Sequence, residues 1–419
     1  MIVNPDAASG ENNTLDDCFR RAGVSDPDRI ALSDPPNRPS AAGGAPRTLT
    51  YAQADRAISA LAARLRSLGL ATDTIVAIQS PNTVESAIAL LGVLRAGMVA
   101  ALLPLLWRRQ DTVAALGKVG AKVILTHARM AEHAMQAAAE LFPVRFICGF
   151  GAGLPDGIAP LDDCFAPDAA PPPLLPRPDA AAQRTACITY DAAAGGMQPV
   201  LHSHAALIGS GRKIFVEANI AADVLSAIVP GSSAWVTLSI VPWLLVGGTL
   251  ALHHPFDAET FAAQSLALNK CTAVLPGPVL TAMNEAALLG PHVENVVAYW
   301  RAPERFAQTP AWEGRAALTN VVCADETDTI VTRRGGDNYP APAGLTGVGG
   351  YRFKTSSLEA DVAAIDPNAV IVALPDTFLG ERLAGTAAEP ERVRTGLERR
   401  GVNPLVSGAF RKRQPGNAA

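Results

Sequence analysis

The chain has 419 residues, of which 49% are hydrophobic, enough for a large buried core and for two or three domains. A formal net charge of −4 and the absence of any block of basic residues argue against nucleic acid and anionic membranes as partners. The six cysteines show no CxxC pair and no metal-ligand spacing, so we expect free thiols in a reducing, cytoplasmic compartment.

Two segments bear on targeting and on membranes. The N-terminal stretch turns polar after Val3, which argues against a signal peptide. The longest apolar run, Ala234 to Leu252, contains Pro242 and two glycines, Gly247 and Gly248. These residues suit a buried helix followed by a strand better than a transmembrane helix, so we predict no membrane span.

Helices and strands alternate through the first part of the chain. Apolar residues at helical spacing predict a helix over Ala52–Leu68, which Gly69 ends. The other predicted helices are Asn12–Gly23, Val84–Arg95 and Asp111–Val119, and the predicted strands are Thr74–Gln79, Met98–Pro104 and Ala121–Thr126. Such alternation is typical of an α/β domain with a mainly parallel sheet.

A Pro/Ala-rich stretch from Gly151 to Ala182 separates this region from a second alternating one, and a Gly/Pro-rich stretch from Arg333 to Gly350 ends the second. We therefore predict domains at residues 1–182, 183–346 and 347–419, the last a small α+β piece. Predicted strands of the second and third regions are Ala186–Tyr190, Thr249–His253, Thr272–Leu275, Val293–Trp300, Leu318–Cys323 and Ala369–Leu374, and predicted helices are Asp257–Leu268, Gly277–Leu289, Leu358–Ile365 and Pro390–Arg400.

The stretch from Ala186 to Ser210 shows strand, loop and helix signals in that order. The residues Asp191–Pro199 are small and glycine-bearing, which predicts a loop, and a helix is expected from His204. A loop between strand and helix can hold phosphate through backbone N–H groups. This one contains no Ser, Thr, Lys or Arg, and Asp191 would repel an anion, so the loop alone favours an ordinary connection.

Histidine pairs offer an alternative site. His202 and His204 are two residues apart, and His253 precedes His254 directly. No cysteine or aspartate spacing supports a metal there, so we interpret them as histidines at a helix start and a strand end, and we predict no metal site.

Several segments, taken in order, resemble the adenylate-forming (AMP-binding) superfamily of acyl-CoA synthetases, luciferases and peptide-synthetase adenylation domains. LTYAQADRAISALAARLRSLGL and DTIVAIQSPNTVESAIALLGVLRAGMVAALLPL are similar to the opening of the family. SAWVTLSIVPWLLVGGTLALHHPFDAETF and CTAVLPGPVLTAM are similar to its central part, and GGYRFKTSSLEADVAAIDPNAVIVALPDTFLGERL to the start of its small C-terminal domain. The resemblance implies two packed, mainly parallel α/β subdomains.

The resemblance also implies a reaction and its parts. A carboxylate attacks the α-phosphate of ATP to give an acyl-adenylate, and a thiol such as coenzyme A then takes the acyl group. This chemistry needs a loop and a lysine for the phosphates, magnesium and ribose ligands, and a lysine on the mobile domain. The resemblance places the ligand cleft at Gly195, Gly196, Gln198, His202, Tyr299, Trp300, Arg301 and Thr327, with Glu326 and Lys412 as candidate catalytic residues.

The phosphate loop departs furthest from the family pattern T-S-G-T-T-G-x-P-K-G. Aligned on His202-Ser203-His204, the serine becomes Asp191, both later threonines become alanine and the lysine becomes Gln198. Losing every donor and gaining a carboxylate would weaken any hold on a triphosphate.

The adenine and magnesium positions depart as well. Tyr299 and Trp300 replace small residues that let adenine lie against the strand end, although side chains alternate along a strand, so only one ring is expected to face the cleft. Glu326 stands at the magnesium-ligand position, but an isolated glutamate there is more often a solvated residue at a strand end.

The C-terminal region is shortened internally. Only Thr327–Gly349 stands where the family has a sizeable segment with a β-barrel part, a ribose-binding aspartate and a hinge arginine. The position of the catalytic lysine falls on Ala409, and Lys412 lies three residues further along. We therefore predict that the β-barrel part is largely missing.

Three hypotheses remain open from the sequence. The first is a member that no longer adenylates and keeps an acyl or acyl-CoA cleft, or serves as partner or regulator of a related enzyme in a homo- or hetero-oligomer. The second is an active, divergent carboxylate–CoA ligase or acyltransferase using ATP with magnesium and coenzyme A, in which Gln198, Arg301 and Glu326, with Arg352 or Lys412, replace the lost groups. The third is a structural subunit of a heteromeric complex.

Overall fold

The computed structural model describes residues 13–166, 179–193, 196–301, 312, 314–323, 325–327, 329–332, 345–348, 351–376 and 380–410. Its strands are β1 Ile30–Ser33, β2 Thr48–Thr50, β3 Ile75–Gln79, β4 Val99–Leu102, β5 Val123–His127, β6 Phe146–Phe150, β7 Ala159–Pro160, β8 Thr185–Ala193, β9 Gly196–Ser203, β10 Asp223–Ser226, β11 Leu250–Leu252, β12 Cys271–Pro276, β13 Val293–Trp300, β14 Ala317–Cys323, β15 Thr329–Thr332, β16 Leu345–Val348, β17 Tyr351–Lys354, β18 Val370–Asp376 and β19 Gly380–Thr386.

The α-helices are α1 Leu15–Ser25, α2 Arg38–Ala41, α3 Tyr51–Ser67, α4 Val84–Arg95, α5 Arg109–Val119, α6 Ala131–Ala138, α7 His204–Glu217, α8 Ser233–Trp235, α9 Val241–Val246, α10 Ala258–Ala267, α11 Gly277–Glu285, α12 Thr355–Ala363, α13 Pro390–Arg399 and α14 Pro404–Ser407. A π-helix, Val236–Ile240, joins α8 to α9. None of the described helices combines the length and the apolar character that crossing a bilayer requires.

The strands form two large sheets. One has seven strands in the order β7-β6-β5-β3-β4-β8-β9, and the other has eight in the order β15-β14-β13-β12-β10-β11-β1-β2. Neighbours are parallel except at the edges, where β8–β9, β1–β2 and β14–β15 are antiparallel. The predicted α/β class with mainly parallel sheets is confirmed. Among the described strands none closes a barrel, and β16–β17 and β18–β19 form separate two-stranded ribbons.

The predicted loop at Asp191–Pro199 is wrong. Strands β8 and β9 pair as an antiparallel hairpin, with Asp191 opposite Gln198 and Ala193 opposite Gly196. Pro199 fits because β9 is the edge strand of its sheet, where a missing N–H donor breaks no ladder. The helix does begin at His204, as predicted, after Ser203 caps it by accepting a hydrogen bond from Ala206 N.

Each sheet contains strands from both the early and the later part of the chain. Strands β1 and β2, from the start of the chain, belong to the eight-stranded sheet, whereas the hairpin β8–β9 belongs to the seven-stranded sheet. The division at residue 182 stays a prediction, and the chain crosses between the sheets both before and after it.

Helices α3 and α4 form the centre of the main core. Thr50 and Gln53 make reciprocal capping hydrogen bonds that begin α3, and its apolar face, including Ile58, is buried. Every residue of α4 is buried. A Cβ atom at Gly92 would lie 2.7 Å from the Leu61 side chain, so the close approach of the two helices depends on glycine there.

A buried ion cluster ties the β1–α2 region to α4. Arg38 lies 2.9 Å from Asp34 and contacts Glu85, while Arg47 Nε donates to Glu85 at 2.8 Å. Burial and the nearby Glu85 raise the pKa of Asp34 to about 7. Burial also opposes the charge of Glu85, but the attraction of Arg38 and hydrogen bonding outweigh it and hold its pKa below the usual range. The segment that joins the second sheet is thereby tied to the core of the first.

The last described part of the chain has a small core of its own, which includes Leu358, Val393 and Phe410. It makes hydrogen bonds to the segment between β4 and the start of α5. Leu106 N donates to Tyr351 Oη at 3.2 Å, and Arg109 donates to the Arg400 carbonyl at 2.8 Å. These contacts place β17 and α14 beside the ends of the strands of both large sheets.

Replacing Arg38 with Met should lower the free energy of unfolding by about 3–5 kcal/mol, because Asp34 and Glu85 would stay buried with less compensating charge. Arg394→Met is the matched control, because Arg394 pairs with Glu391 and Glu398 on the surface and its loss should cost far less than the loss of Arg38. Urea unfolding of both variants measures the difference. Equal, small losses would contradict a stabilising role for the buried cluster.

Candidate functional site

A cavity of about 470 Å³ lies where the strand ends of both sheets meet the C-terminal piece. Its walls come from the Pro104–Trp107 turn, the hairpin, the ends of β12 and β13, strand β17 and the segment before α14. Most of the lining is apolar or aromatic, contributed by Trp107, Tyr190, Phe256, Tyr299, Trp300 and Tyr351. A concave, mostly apolar pocket with a few polar groups is the usual form of a small-molecule site.

Arg301, directly after β13, is the central charged residue of this cleft. Its Nη1 contacts a carboxylate oxygen of Glu326, and its Nη2 lies 3.4 Å from Asp191 Oδ1. The Arg301 side chain is 10% exposed and that of Glu326 is 1% exposed. Burial alone would lower the pKa of the guanidinium, but the adjacent Glu326 reverses the effect and raises it. Arg301 is therefore a permanent cation held between two carboxylates.

Glu326 has hydrogen bonds to both of its carboxylate oxygens. Besides Arg301, it accepts a hydrogen bond from Ser233 N at 2.7 Å, and the Ser233 hydroxyl donates to the Glu326 carbonyl at 3.1 Å. Burial opposes its charge, but Arg301 and Ser233 outweigh burial and lower its pKa. The interpretation of Glu326 as a solvated strand-end residue is wrong, because the residue is 4% exposed and fully paired.

Asp191 completes the network from the hairpin side. Its Oδ2 accepts a hydrogen bond from the backbone N–H of Glu326 at 2.9 Å, and its pKa is raised by burial. Gln198 stands opposite Asp191 across the hairpin. In place of the phosphate-binding loop that the resemblance implies, this position therefore holds a carboxylate already bound to Arg301 and to the backbone of Glu326.

Tyr299 and Trp300 pack on opposite faces of β13. Tyr299 belongs to the main core, whereas Trp300 belongs to a second core and donates from its indole nitrogen to Asn320 Oδ1 at 2.9 Å. A Cβ atom at Gly277 would lie 2.2 Å from the Trp300 ring, so the indole fills the space beside that glycine. Both residues line the cleft, while their side chains pack on opposite faces of the strand, as alternation along a strand predicts.

The remaining candidate site residues are not among the described residues that line this cleft. His202 Nε2 makes a 2.7 Å hydrogen bond with Thr189 Oγ1 within the hairpin, and burial lowers its pKa. Thr327 is exposed and donates to Asp325. Gly196 begins β9, while Gly195 and Lys412 lie outside the described residues.

Sequence reasoning missed two contributors to the network. Ser233 binds Glu326 partly through its backbone N–H, a donor that every residue except proline carries and that no motif reveals. Arg352, considered above only as a replacement catalytic group, donates instead to the carbonyl of Arg301 at 3.1 Å. Strand β17 thereby contacts the network directly.

The charges of the site do not fit a magnesium–nucleotide complex. Magnesium requires carboxylate oxygens that are open to it, and those of Glu326 and Asp191 already bind Arg301 and backbone N–H groups. The described residues of the hairpin turn, 191–193 and 196–199, carry no hydroxyl or amine for phosphate. Elsewhere among the described residues, no group of three or more His, Cys, Asp or Glu side chains could hold a metal ion.

Solved structures with this architecture include adenylate-forming enzymes. The amide bond synthetase McbA from Marinactinospora thermotolerans superposes with a TM-score of 0.70 at 15% identity, covering 93% of this chain and 94% of that one. The acyl-CoA synthetase from Brucella canis gives a TM-score of 0.60 at 14% identity, covering 96% and 90%. At these identities the likeness shows the fold.

Curated relatives match in sequence over part of their length. The long-chain fatty acid transport protein 1 from Bos taurus is 28% identical over 271 residues, which cover 62% of this chain and 40% of the relative. A salicyl-AMP ligase from Mycobacterium tuberculosis is 37% identical over 86 residues, which cover 20% of this chain and 14% of the relative. The match thus spans less than half of each relative.

A family model described as AMP-binding enzyme matches residues 19–293, and the chain belongs to this family of adenylate-forming, acyl-CoA synthetase-like proteins.

Proposed function

We propose that this protein does not adenylate carboxylates with ATP and that it binds an acyl compound in its apolar cleft, as a partner or regulator of a related enzyme. The observation that carries the proposal is the position of the Arg301 guanidinium between Glu326 and Asp191. In the family, the position of Glu326 serves a magnesium ion. Here a side chain that is always charged neutralises it.

The charges of the site favour loss of ATP-dependent adenylation over an active site that has only changed its residues. A magnesium ion would have to displace Arg301 from Glu326, leaving the guanidinium with only Asp191, 3.4 Å away, in a region where the Arg301 side chain is 10% exposed. Breaking one partner out of a buried ion pair costs about 3–5 kcal/mol. The triphosphate would also meet Asp191, whose negative charge repels it.

The acyl part of the proposal rests on the cleft and on the relatives. The cavity of about 470 Å³ is lined mainly by apolar and aromatic side chains, which suit an alkyl or aryl group. Relatives named as a fatty acid transport protein and a salicyl-AMP ligase suggest acyl groups of this kind. A cytoplasmic location and assembly with a copy of itself or a related enzyme belong to the same proposal.

One observation favours the second candidate, an active and divergent carboxylate–CoA ligase or acyltransferase. Glu326 keeps a lowered pKa, so it remains a carboxylate at neutral pH, and the cavity beside it is open. Activity would then require Arg301 to leave Glu326 when a nucleotide binds. The third candidate, a structural subunit, requires no ligand in the cleft.

We expect no ATP-dependent reaction from the purified protein. With millimolar ATP, magnesium and carboxylic acids from acetate to palmitate and salicylate, pyrophosphate release should match the protein-free blank, because residues 191–199 carry no Ser, Thr, Lys or Arg for phosphate and Glu326 is already bound to Arg301. Isothermal titration with ATP–magnesium should show no binding. Micromolar affinity accompanied by pyrophosphate release would establish the divergent ligase instead.

Removing the guanidinium should create a site for magnesium. In Arg301→Ala the free energy of unfolding should fall by about 3–5 kcal/mol, since Glu326 and Asp191 lose their shared cation. Millimolar magnesium chloride should recover part of this loss, because two neighbouring carboxylates then become available as oxygen ligands. Thermal unfolding with and without magnesium measures both effects.

Two controls make the magnesium test specific. Arg394→Ala removes a surface arginine and should show neither the large loss nor the recovery. Adding Glu326→Gln to Arg301→Ala should abolish the recovery, because an amide replaces the carboxylate. If magnesium stabilises the unaltered protein as much as Arg301→Ala, the guanidinium does not occupy the cation position.

A further inference from the structure

Three buried polar atoms belonging to residues that line the cleft have no hydrogen-bond partner among the described residues. One is Arg301 Nε, on a guanidinium whose two terminal nitrogens bind Glu326 and Asp191. The two uncharged ones are Tyr190 Oη, on a residue that is 5% exposed, and Asn403 Nδ2, on a residue that is fully buried. An unpaired buried donor costs about 1–3 kcal/mol, so these donors in the lining of one cavity indicate that something bound there completes their hydrogen bonding.

Both side chains are held in place by other contacts. The Tyr190 ring packs against Trp107, with ring centroids 5.4 Å apart. The Oδ1 atom of Asn403 accepts a hydrogen bond from Leu405 N at 3.0 Å and caps α14, which leaves the amide nitrogen as the free donor. Tyr190 comes from the first sheet and Asn403 from the C-terminal piece, so a ligand held by both joins the two.

The charges around the cavity disfavour an anion. Each cation among the described lining residues has a partner: Arg301 binds Glu326 and Asp191 through its two terminal nitrogens, Arg352 donates to the Arg301 carbonyl, and Lys354 has a partner of its own. The carboxyl groups of Asp111 and Asp361 also line the cavity. Burial, with a contribution from Asp361, raises the pKa of Asp111 to about 7, so this wall already tolerates negative charge poorly.

We propose that the cleft binds a neutral, largely apolar acyl compound, an amide or ester, whose carbonyl oxygens accept hydrogen bonds from Tyr190 Oη and Asn403 Nδ2. This inference rests on the proposed function, because it takes the cleft as retained for acyl binding. It specifies that the ligand is an acyl derivative and not the free acid. A carboxylate would meet Glu326 and Asp191, which already outnumber the one guanidinium between them, whereas a carbonyl needs only uncharged donors such as Tyr190 Oη and Asn403 Nδ2.

Octanamide and octanoate are suitable probes because they share one alkyl chain and differ in charge. We expect calorimetric titration at pH 8, without ATP, to show octanamide binding at least about tenfold more tightly than octanoate. Tyr190→Phe should weaken octanamide binding about three- to tenfold, the range of one neutral hydrogen bond. Asn403→Ser should do the same, because serine can still cap α14 but lacks the amide donor.

The melting temperature separates a ligand role from a structural one. Tyr190→Phe should leave it unchanged or raise it, because the variant removes a hydroxyl that has no hydrogen-bond partner among the residues the structure describes. Tyr51→Phe is the matched control: the Tyr51 hydroxyl donates to the Gly248 carbonyl at 2.8 Å in the core, so its loss should lower the melting temperature and leave octanamide affinity intact.

The inference is overturned if octanoate binds as tightly as octanamide, if neither probe binds at millimolar concentration, or if Tyr190→Phe and Asn403→Ser bind octanamide like the unaltered protein. The proposed loss of adenylation is tested separately. Pyrophosphate release from octanoate with ATP–magnesium would defeat that proposal, while the preference for octanamide is measured without nucleotide and stands or falls independently.

Discussion

A buried guanidinium must be neutralised where it lies, and this requirement at Arg301 organises the cleft. The two carboxylates that neutralise it come from the first sheet at Asp191 and from the residues after β14 at Glu326. Each carboxylate also accepts a backbone N–H, which fixes the neighbouring segments. Three distant parts of the chain are therefore held together by one cation, at the place where the resemblance to the family implies a bound magnesium ion.

The buried ion cluster around Arg38 fixes the two sheets and does not shape the cleft directly. Arg38 and Glu85 lie away from the cleft and tie the β1–α2 segment, which belongs to the second sheet, to helix α4 of the main core. Because buried charges tolerate few alternative arrangements, such a cluster restricts how the sheets can be placed relative to each other. The relative placement of the sheets, in turn, decides where their strand ends meet and so where the cleft opens.

The contacts of the C-terminal piece with the cleft are mostly hydrogen bonds to backbone groups. Tyr351 accepts from Leu106 N, and Arg352 donates to the carbonyl of Arg301. Among the described lining residues each cation has a partner, and the uncharged polar atoms without one are those of Tyr190 and Asn403. The proposal of an uncharged acyl ligand rests on these groups.

The sequence by itself determined the fold class, the parallel sheets, most element positions and the family, because apolar periodicity and turn residues act locally along the chain. Helix Val84–Arg95 was predicted to the residue. Local signals also misled: small residues and glycine at Asp191–Pro199 predicted a loop, whereas pairing between two strands extends both of them. Only the tertiary structure decided that Glu326 is buried, since its partner Arg301 lies 25 residues away in the sequence and meets it through the order of strands in the sheet. The pairing of charges across strands depends on distances in space, and those distances are set by packing that no single segment encodes.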